Sequence, residues 1–161
     1  MHSFFMELIA NVVSGLIFAF ILFLFKEYLF PMMQITGEWE TTLVIAKTLF
    51  APYQDVDFQY KVHLLQNGNR IRGSGERIKD LKRDGTETVY EPGQRIKIKI
   101  EGYYEKKYLR KSKVFFNVIE LGNEREIRLT FFMEVKNSKF LKGTFTTTAS
   151  DSSGTIEMRK K

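Results

Sequence analysis

The sequence predicts an all-β fold, a small closed antiparallel barrel of about eight strands, preceded by one N-terminal transmembrane helix. Three observations predict this architecture. Continuous apolar sequence occurs only near the N-terminus, the rest alternates between apolar and polar residues, and short turns rich in Gly, Asn and Asp separate the alternating runs. A chain of 161 residues has room for one such domain and one appendage.

The N-terminal apolar run covers residues 8–25, in which 15 of 18 positions are apolar. As a helix this run is roughly 27 Å long, close to the hydrocarbon thickness of a bilayer, about 30 Å. The residues before it hold no Lys or Arg, and no pair of small residues follows it as a cleavage site. We therefore predict an uncleaved anchor and short linker over residues 1–33. The alternative is a helix buried in a soluble core.

Small and polar residues form a stripe along this helix, because Asn11, Gly15 and Ala19 are spaced four residues apart. Such a stripe allows two helices to approach closely in lipid, so it predicts self-association. The alternative is that these residues mark no interface. Lys26 is the basic residue that flanks the span, and all other basic residues follow it, so the positive-inside rule predicts a single-pass protein with a cytoplasmic C-terminal domain.

The predicted barrel covers residues 34–161. Alternation with a period of two is clearest at residues 58–64, 96–100, 114–118 and 127–133. Further runs at residues 36–45, 70–78, 139–149 and 154–160 give about eight strands. A closed meander removes sheet edges and leaves an interior able to hold one ligand. A β-sandwich is the alternative.

The opening strand contains Gly37-x-Trp39. This pattern is similar to the Gly-x-Trp opening strand of lipocalin-like and avidin-like barrels. The resemblance implies that Trp39 plugs the barrel floor and that an arginine from a late strand packs on it. Arg159 is the expected partner.

Arginines close to the second predicted turn are candidates for a ligand site. A turn at Asn67-Gly68 pairs Leu64 with Ile71 and directs Arg77 into the barrel. A slip of one residue would direct Arg70 and Arg72 inward instead. Guanidinium groups bind phosphates through two parallel hydrogen bonds.

Aromatic and hydroxyl side chains complete this candidate site. Tyr60 and Tyr104 offer rings on which a nucleobase can stack, and Thr147 offers a hydroxyl. The predicted ligand-binding residues are therefore Tyr60, Arg72, Arg77, Tyr104 and Thr147. The alternative is a set of solvated surface charges and core tyrosines.

Composition favours a binding protein over an enzyme. The net charge is +6 and the pI about 9.4, which suits anionic partners. The chain has no Cys, two His and no phosphate-binding glycine motif, so we expect no catalytic site, no metal and no cofactor. The densest basic run covers residues 106–113 and predicts either a solvated hairpin or a surface that rests on anionic headgroups.

The layout of this chain, one membrane span followed by one basic barrel, resembles that of the transmembrane β-barrel effectors of bacterial anti-phage cyclic-oligonucleotide signalling (CBASS and the related Panoptes system). These are also described as SMODS-associated two-transmembrane β-strand-rich proteins, which typically have two spans where this sequence has one. The residues that carry the resemblance are the span at 8–25, the Gly37-x-Trp39 opening and the strand at 143–148.

The resemblance implies a receptor in the bacterial inner membrane whose barrel binds a cyclic dinucleotide. Ligand binding would change homo-oligomer assembly and control disruption of that membrane. The expected partners are a cyclic dinucleotide, membrane lipids and further copies of the chain, with no nucleic-acid polymer. Two alternatives remain, namely a tethered lipocalin-like carrier of an apolar ligand and a structural anchor with a packed, empty barrel.

Overall fold

The computed structural model describes residues 2–29, 31–108, 110–122, 126–148 and 151–161. The chain divides into two compact units, residues 1–32 and residues 33–161. The division lies one residue before the predicted boundary.

The first unit contains one helix, α1 (His2–Leu29). Its segment Phe4–Leu29 has a mean hydropathy of 2.6, and all its side chains are exposed. By length and composition this helix can cross a membrane. Asn11, Gly15 and Ala19 lie on one face of it, and a Cβ added at Gly15 would have no neighbour within 4 Å.

The second unit is built from antiparallel strands. They are β1 (Gly37–Lys47), β2 (Val56–Asn67), β3 (Arg70–Lys82), β4 (Glu87–Val89), β5 (Ile96–Glu105), β6 (Lys113–Leu121), β7 (Glu126–Asn137), β8 (Phe140–Thr147) and β9 (Ser153–Lys160). A short 3-10 helix, Ala51–Tyr53, lies between β1 and β2.

Eight of these strands close into a barrel. Each pairs with the next along the chain, except that β3 pairs with both β4 and β5, and β9 pairs with β1 to complete the ring. The predicted meander barrel with an N-terminal apolar helix is thus confirmed, and the β-sandwich alternative is wrong. The three-residue strand β4 pairs with the last part of β3, and the sequence does not predict it.

The two ends of the barrel differ in which segments they carry. The entry end is where β1 begins and β9 ends, and it holds the β2–β3 turn, the β5–β6 loop and the β7–β8 turn. The opposite end holds the 3-10 helix, the β3–β4 hairpin and the segment between β4 and β5. The chain joins the barrel at the entry end.

The predicted register between β2 and β3 is wrong by two residues. Leu64 pairs with Gly73 rather than with Ile71, because the turn residues are Gly68 and Asn69. Gly68 has a φ of 58°, a conformation that glycine adopts without strain. A shift of two keeps each side chain on its predicted face, so Arg77 still points inward and Arg72 outward.

Side chains from all eight strands fill the interior, and the largest of those fully buried are Trp39, Phe116 and Phe145. Glycines facing the same interior allow neighbouring strands to approach closely. A Cβ at Gly143 would overlap the carbonyl oxygen of Phe132, and one at Gly102 would overlap that of Phe115. These glycines therefore accommodate neighbouring backbone rather than a ligand.

Trp39 lies at the entry end with no exposed surface, as the barrel-floor prediction requires. Its partner is not Arg159. The indole Nε1 donates to the Ile35 carbonyl oxygen at 2.8 Å, while the Arg159 side chain is 69% exposed and lies over the Phe140 ring. Strand β9 ends beside β8 at this point, and its alternation directs Arg159 outward.

Candidate functional site

A cluster of buried and half-buried polar side chains lies at the opposite end of the barrel. We call it the Arg77 cluster, and it consists of Tyr60, Arg77, Asp80, Tyr90 and Glu120. The side chains of Arg77 and Glu120 are each 5% exposed and that of Asp80 is 16% exposed. Buried groups of this kind persist only when they are hydrogen-bonded to one another.

Arg77 is held on two sides by carboxylates. Its Nε and Nη2 donate to the two oxygens of Asp80 at 2.6 and 2.5 Å, and its Nη1 donates to Glu120 Oε1 at 3.3 Å. The guanidinium also lies over the Phe58 ring, 3.6 Å from the ring centre. All three nitrogens of the guanidinium therefore have a partner.

The two tyrosines also donate to these carboxylates, Tyr60 to the Glu120 oxygen that Arg77 does not contact and Tyr90 to an Asp80 oxygen that also accepts from Arg77. Tyr60 donates to Glu120 Oε2 at 3.0 Å, and Tyr90 donates to Asp80 Oδ2 at 2.7 Å. The cluster therefore contains two carboxyl groups and one guanidinium. An added phosphate would have to displace a carboxylate, since like charges repel in a buried setting.

An irregularity in β3 brings Arg77 and Asp80 to the same side of the sheet. Tyr60 pairs with Arg77, but the next residue of β2, Gln59, pairs with Lys79, so Ile78 is an extra residue. Such a bulge reverses the alternation beyond it. Asp80, three residues after Arg77, consequently points into the barrel as well.

Burial and hydrogen bonding shift the pKa values in this cluster. Burial, together with the neighbouring Glu120 charge, raises the pKa of Tyr60 well above its usual value. Burial and the hydrogen bond to Asp80 raise the pKa of Tyr90 to about 12. Burial opposes the charge on Arg77, but the bond to Asp80 and the charge of Glu120 outweigh it and raise the pKa of Arg77.

These tyrosine shifts predict that the barrel loses stability in alkali. An unfolded tyrosine releases its proton near pH 10, whereas folded Tyr90 keeps it up to about pH 12. The stabilising contribution is complete below pH 10 and is lost as the pH rises toward 12, because deprotonation favours the unfolded chain. The free energy of unfolding, measured against pH, should fall less steeply over this interval in Tyr90→Phe than in wild type. Parallel curves would contradict the assigned shift.

The interior holds no space of ligand size within the described residues. Two interior cavities have volumes of about 10 and 20 Å³. The smaller is lined by Thr41, whose buried hydroxyl has no hydrogen-bond partner among the described residues. Each cavity is large enough for about one water molecule. The predicted interior able to hold one ligand is therefore filled by side chains in this structure.

Three of the five predicted ligand residues come together. Tyr60, Arg77 and Thr147 all line the cavity of about 20 Å³. Tyr104 is buried but lies far from these three residues. Arg77 pairs with Ile96 on β5, and Tyr104 is eight residues further along that strand. Arg72 points outward and is exposed. The predicted grouping of an inward arginine with both tyrosines is wrong, because alternation specifies a residue's face and not its height along the barrel.

Asp80, Tyr90 and Glu120 are cluster members that the sequence patterns do not predict. Glu120 was detectable, since it continues the inward series Val114, Phe116 and Val118 with an acidic residue. Asp80 was hidden by the bulge, and Tyr90 follows β4, which has no strong strand pattern. The acidic partners change the interpretation of Arg77 from a free anion-binding group to a paired one.

The barrel surface carries open grooves of about 390 and 490 Å³. The first runs across β2, β3 and β5 and includes Lys61, Lys97 and Lys99. The second lies beside Phe115 and Phe132 and includes Lys113 and Lys142. None of the five predicted ligand residues lines either groove.

The fold and this interior define the chain's class, an eight-stranded antiparallel barrel with a packed core and a paired buried arginine. Among solved structures, the chain is similar to a redesigned β-barrel, with a TM-score of 0.52 and 15% sequence identity. The similarity covers 79% of this chain and 91% of that one. It shows a shared barrel fold. No protein-family model and no curated protein matches the chain.

Proposed function

We propose that this chain is a membrane-anchored, non-enzymatic protein that acts through the outer surface of a packed barrel. The observation that carries this proposal is the filled interior, whose cavities of about 10 and 20 Å³ are too small for an organic ligand. Ligand pockets in proteins usually have volumes of about 300–1,000 Å³. The same packing argues against a carrier of apolar ligands.

The membrane part of the proposal rests on α1. Its 26-residue apolar segment Phe4–Leu29 has the length of a span and no buried side chains. An exposed helix of this composition is stable in lipid, where its backbone groups bond to one another and its side chains meet hydrocarbon. The cytoplasmic orientation, the bacterial inner membrane and self-association along Asn11, Gly15 and Ala19 stay predictions.

A cyclic-dinucleotide effector of the family that the sequence resembles is the second candidate. The observation that favours it is the meeting of Tyr60, Arg77 and Thr147 around one cavity. In this case a phosphate must replace Glu120 or Asp80 on Arg77. The segment that carries Tyr53 must also move, since Tyr53 lines the same cavity.

Isothermal titration of the full chain in detergent against a panel of cyclic dinucleotides separates the two candidates. The first predicts no binding by wild type or by Glu120→Gln. The second predicts binding that Glu120→Gln tightens by roughly tenfold, about 1.4 kcal/mol, because one competing carboxylate is removed. Arg72→Ala is the matched control, an exposed arginine on the same strand that leaves binding unchanged. Saturable binding at the Arg77 cluster would refute the packed-barrel proposal.

A further inference from the structure

Charge is distributed unequally between the two ends of the barrel. The described part of the entry end comprises residues 34–38, 67–70, 105–108, 110–113, 136–139 and 159–161, which contain eleven basic and two acidic residues. The basic ones are Arg70, Lys106, Lys107, Arg110, Lys111, Lys113, Lys136, Lys139, Arg159, Lys160 and Lys161.

The opposite end has the reverse balance. Its described segments at residues 47–55, 82–95, 126 and 151 contain four basic and six acidic residues. The surplus positive charge of the barrel therefore lies at the entry end. An anionic surface would attract the entry end and repel the opposite end.

Three aromatic rings lie on the outer surface next to this basic end. Tyr103 stacks on Phe115 with ring centres 4.8 Å apart, and Phe115 meets Phe132 edge to face at 5.5 Å. Tyr103 is 51% exposed and Phe132 47% exposed. Aromatic rings exposed beside basic residues are typical of the interface between a membrane and water. We call this surface, with the β5–β6 loop above it, the aromatic-basic face.

The chain between α1 and the barrel is short. Ile35 is fixed to the barrel, since it is fully buried and its amide donates to Gln66 Oε1 at 2.9 Å. Residues 30–34 separate it from Leu29, the last residue of α1. Six peptide steps reach about 20 Å at most. The chain therefore joins the barrel at its basic entry end, a few residues after α1.

We propose that the aromatic-basic face lies on the headgroups of an anionic lipid surface, so that the barrel has a fixed side toward the membrane. This inference rests on the proposed membrane anchoring. Its lysines and arginines meet the negative lipid headgroups, and Tyr103 and Phe132 enter the interfacial layer. The groove of about 490 Å³ beside Phe132 lies on the same face.

The chain has no cysteine, so single introduced cysteines carry a fluorescent label without background. Thr144 is an exposed neighbour of Phe132 on β8, and Thr88 is an exposed residue of β4 at the opposite end. Full-length Thr144→Cys and Thr88→Cys, each labelled with a polarity-sensitive nitrobenzoxadiazole dye, are reconstituted into vesicles. The vesicles contain phosphatidylcholine alone or with roughly one-third phosphatidylglycerol.

We expect the Thr144 label to brighten and shift to shorter wavelength in the anionic vesicles, and to lose this response as salt is added. The Thr88 label should stay water-like in both. Arg110→Glu/Lys111→Glu should abolish the Thr144 response. Lys47→Glu/Lys82→Glu, which makes the same charge change at the opposite end, should leave it intact.

Flotation of the same samples separates the two proposals. If the chain does not float with the vesicles, anchoring itself is wrong. If it floats while the Thr144 label stays water-like, or while the Thr88 label responds equally, the orientation is wrong and anchoring stands. If the Thr144 response disappears when the chain is diluted into more lipid, the aromatic-basic face contacts a second copy of the chain rather than lipid. This result would overturn the proposal.

Discussion

Arg77→Ala should destabilise the barrel by about 3–5 kcal/mol, the largest effect that we expect of any charged residue in the chain. The substitution leaves the carboxyl groups of Asp80 and Glu120 in the barrel without their cation. Both side chains are largely buried, at 16% and 5% exposure, so water cannot replace the lost bonds. The cavity left above Phe58 adds to the loss.

Urea unfolding of the full chain in detergent, followed by the emission of Trp39, measures this effect, since Trp39 is the chain's single tryptophan. Arg72→Ala is the matched control, because it removes an exposed arginine from the same strand and should change stability by less than about 0.5 kcal/mol. A change of similar size in both variants would show that the buried pairing contributes nothing specific.

Glu120→Gln separates the loss of charge from the loss of shape. Glutamine keeps an oxygen that can accept from Arg77 and nearly the same volume, so its cost should be well below that of Arg77→Ala. Asp80 still neutralises the guanidinium in this variant through two hydrogen bonds. The comparison of the two variants therefore tests whether removing the single guanidinium costs more than neutralising one of its two carboxylate partners.

The fold was predictable because alternation and turn composition are local properties. Alternation over residues 58–64 and 114–118 identifies the side chains that point into the barrel and those that point out. Eight such strands have few arrangements without free sheet edges other than a closed barrel. The predicted register at Gly68 is wrong by two, yet the predicted faces of Tyr60, Leu64 and Arg77 are right, since a shift of two preserves the alternation.

The site was predictable only in part, because its residues depend on geometry between strands. Arg77 and Tyr60 were placed inward from alternation alone. Their separation from Tyr104 depends on strand height, and the inward Asp80 depends on the bulge at Ile78. Alternation along one strand shows neither the height of a residue in the barrel nor the position of a bulge. Without Asp80 and Glu120 the sequence predicts that Arg77 binds an anion, whereas in the structure it is already paired with both carboxylates.

Trp39→Ala should cost about 3–5 kcal/mol, because it empties the fully buried floor of the barrel at the entry end. The indole also donates to the Ile35 carbonyl at 2.8 Å and so links the entering chain to the barrel. Trp39→Phe keeps an aromatic ring but loses this bond, so its cost should be smaller and should include about 1 kcal/mol for the bond.

Far-ultraviolet circular dichroism follows this unfolding, since the variants lack the fluorescent residue. Arg159→Ala is the informative control. The sequence resemblance predicts that Arg159 packs on Trp39, whereas in the structure it is 69% exposed and lies over Phe140. Its removal should therefore change stability by no more than about 0.5 kcal/mol. A loss as large as that of Trp39→Phe would mean that the arginine closes the barrel floor after all, and that the bond from Trp39 to Ile35 is not what seals the entry end.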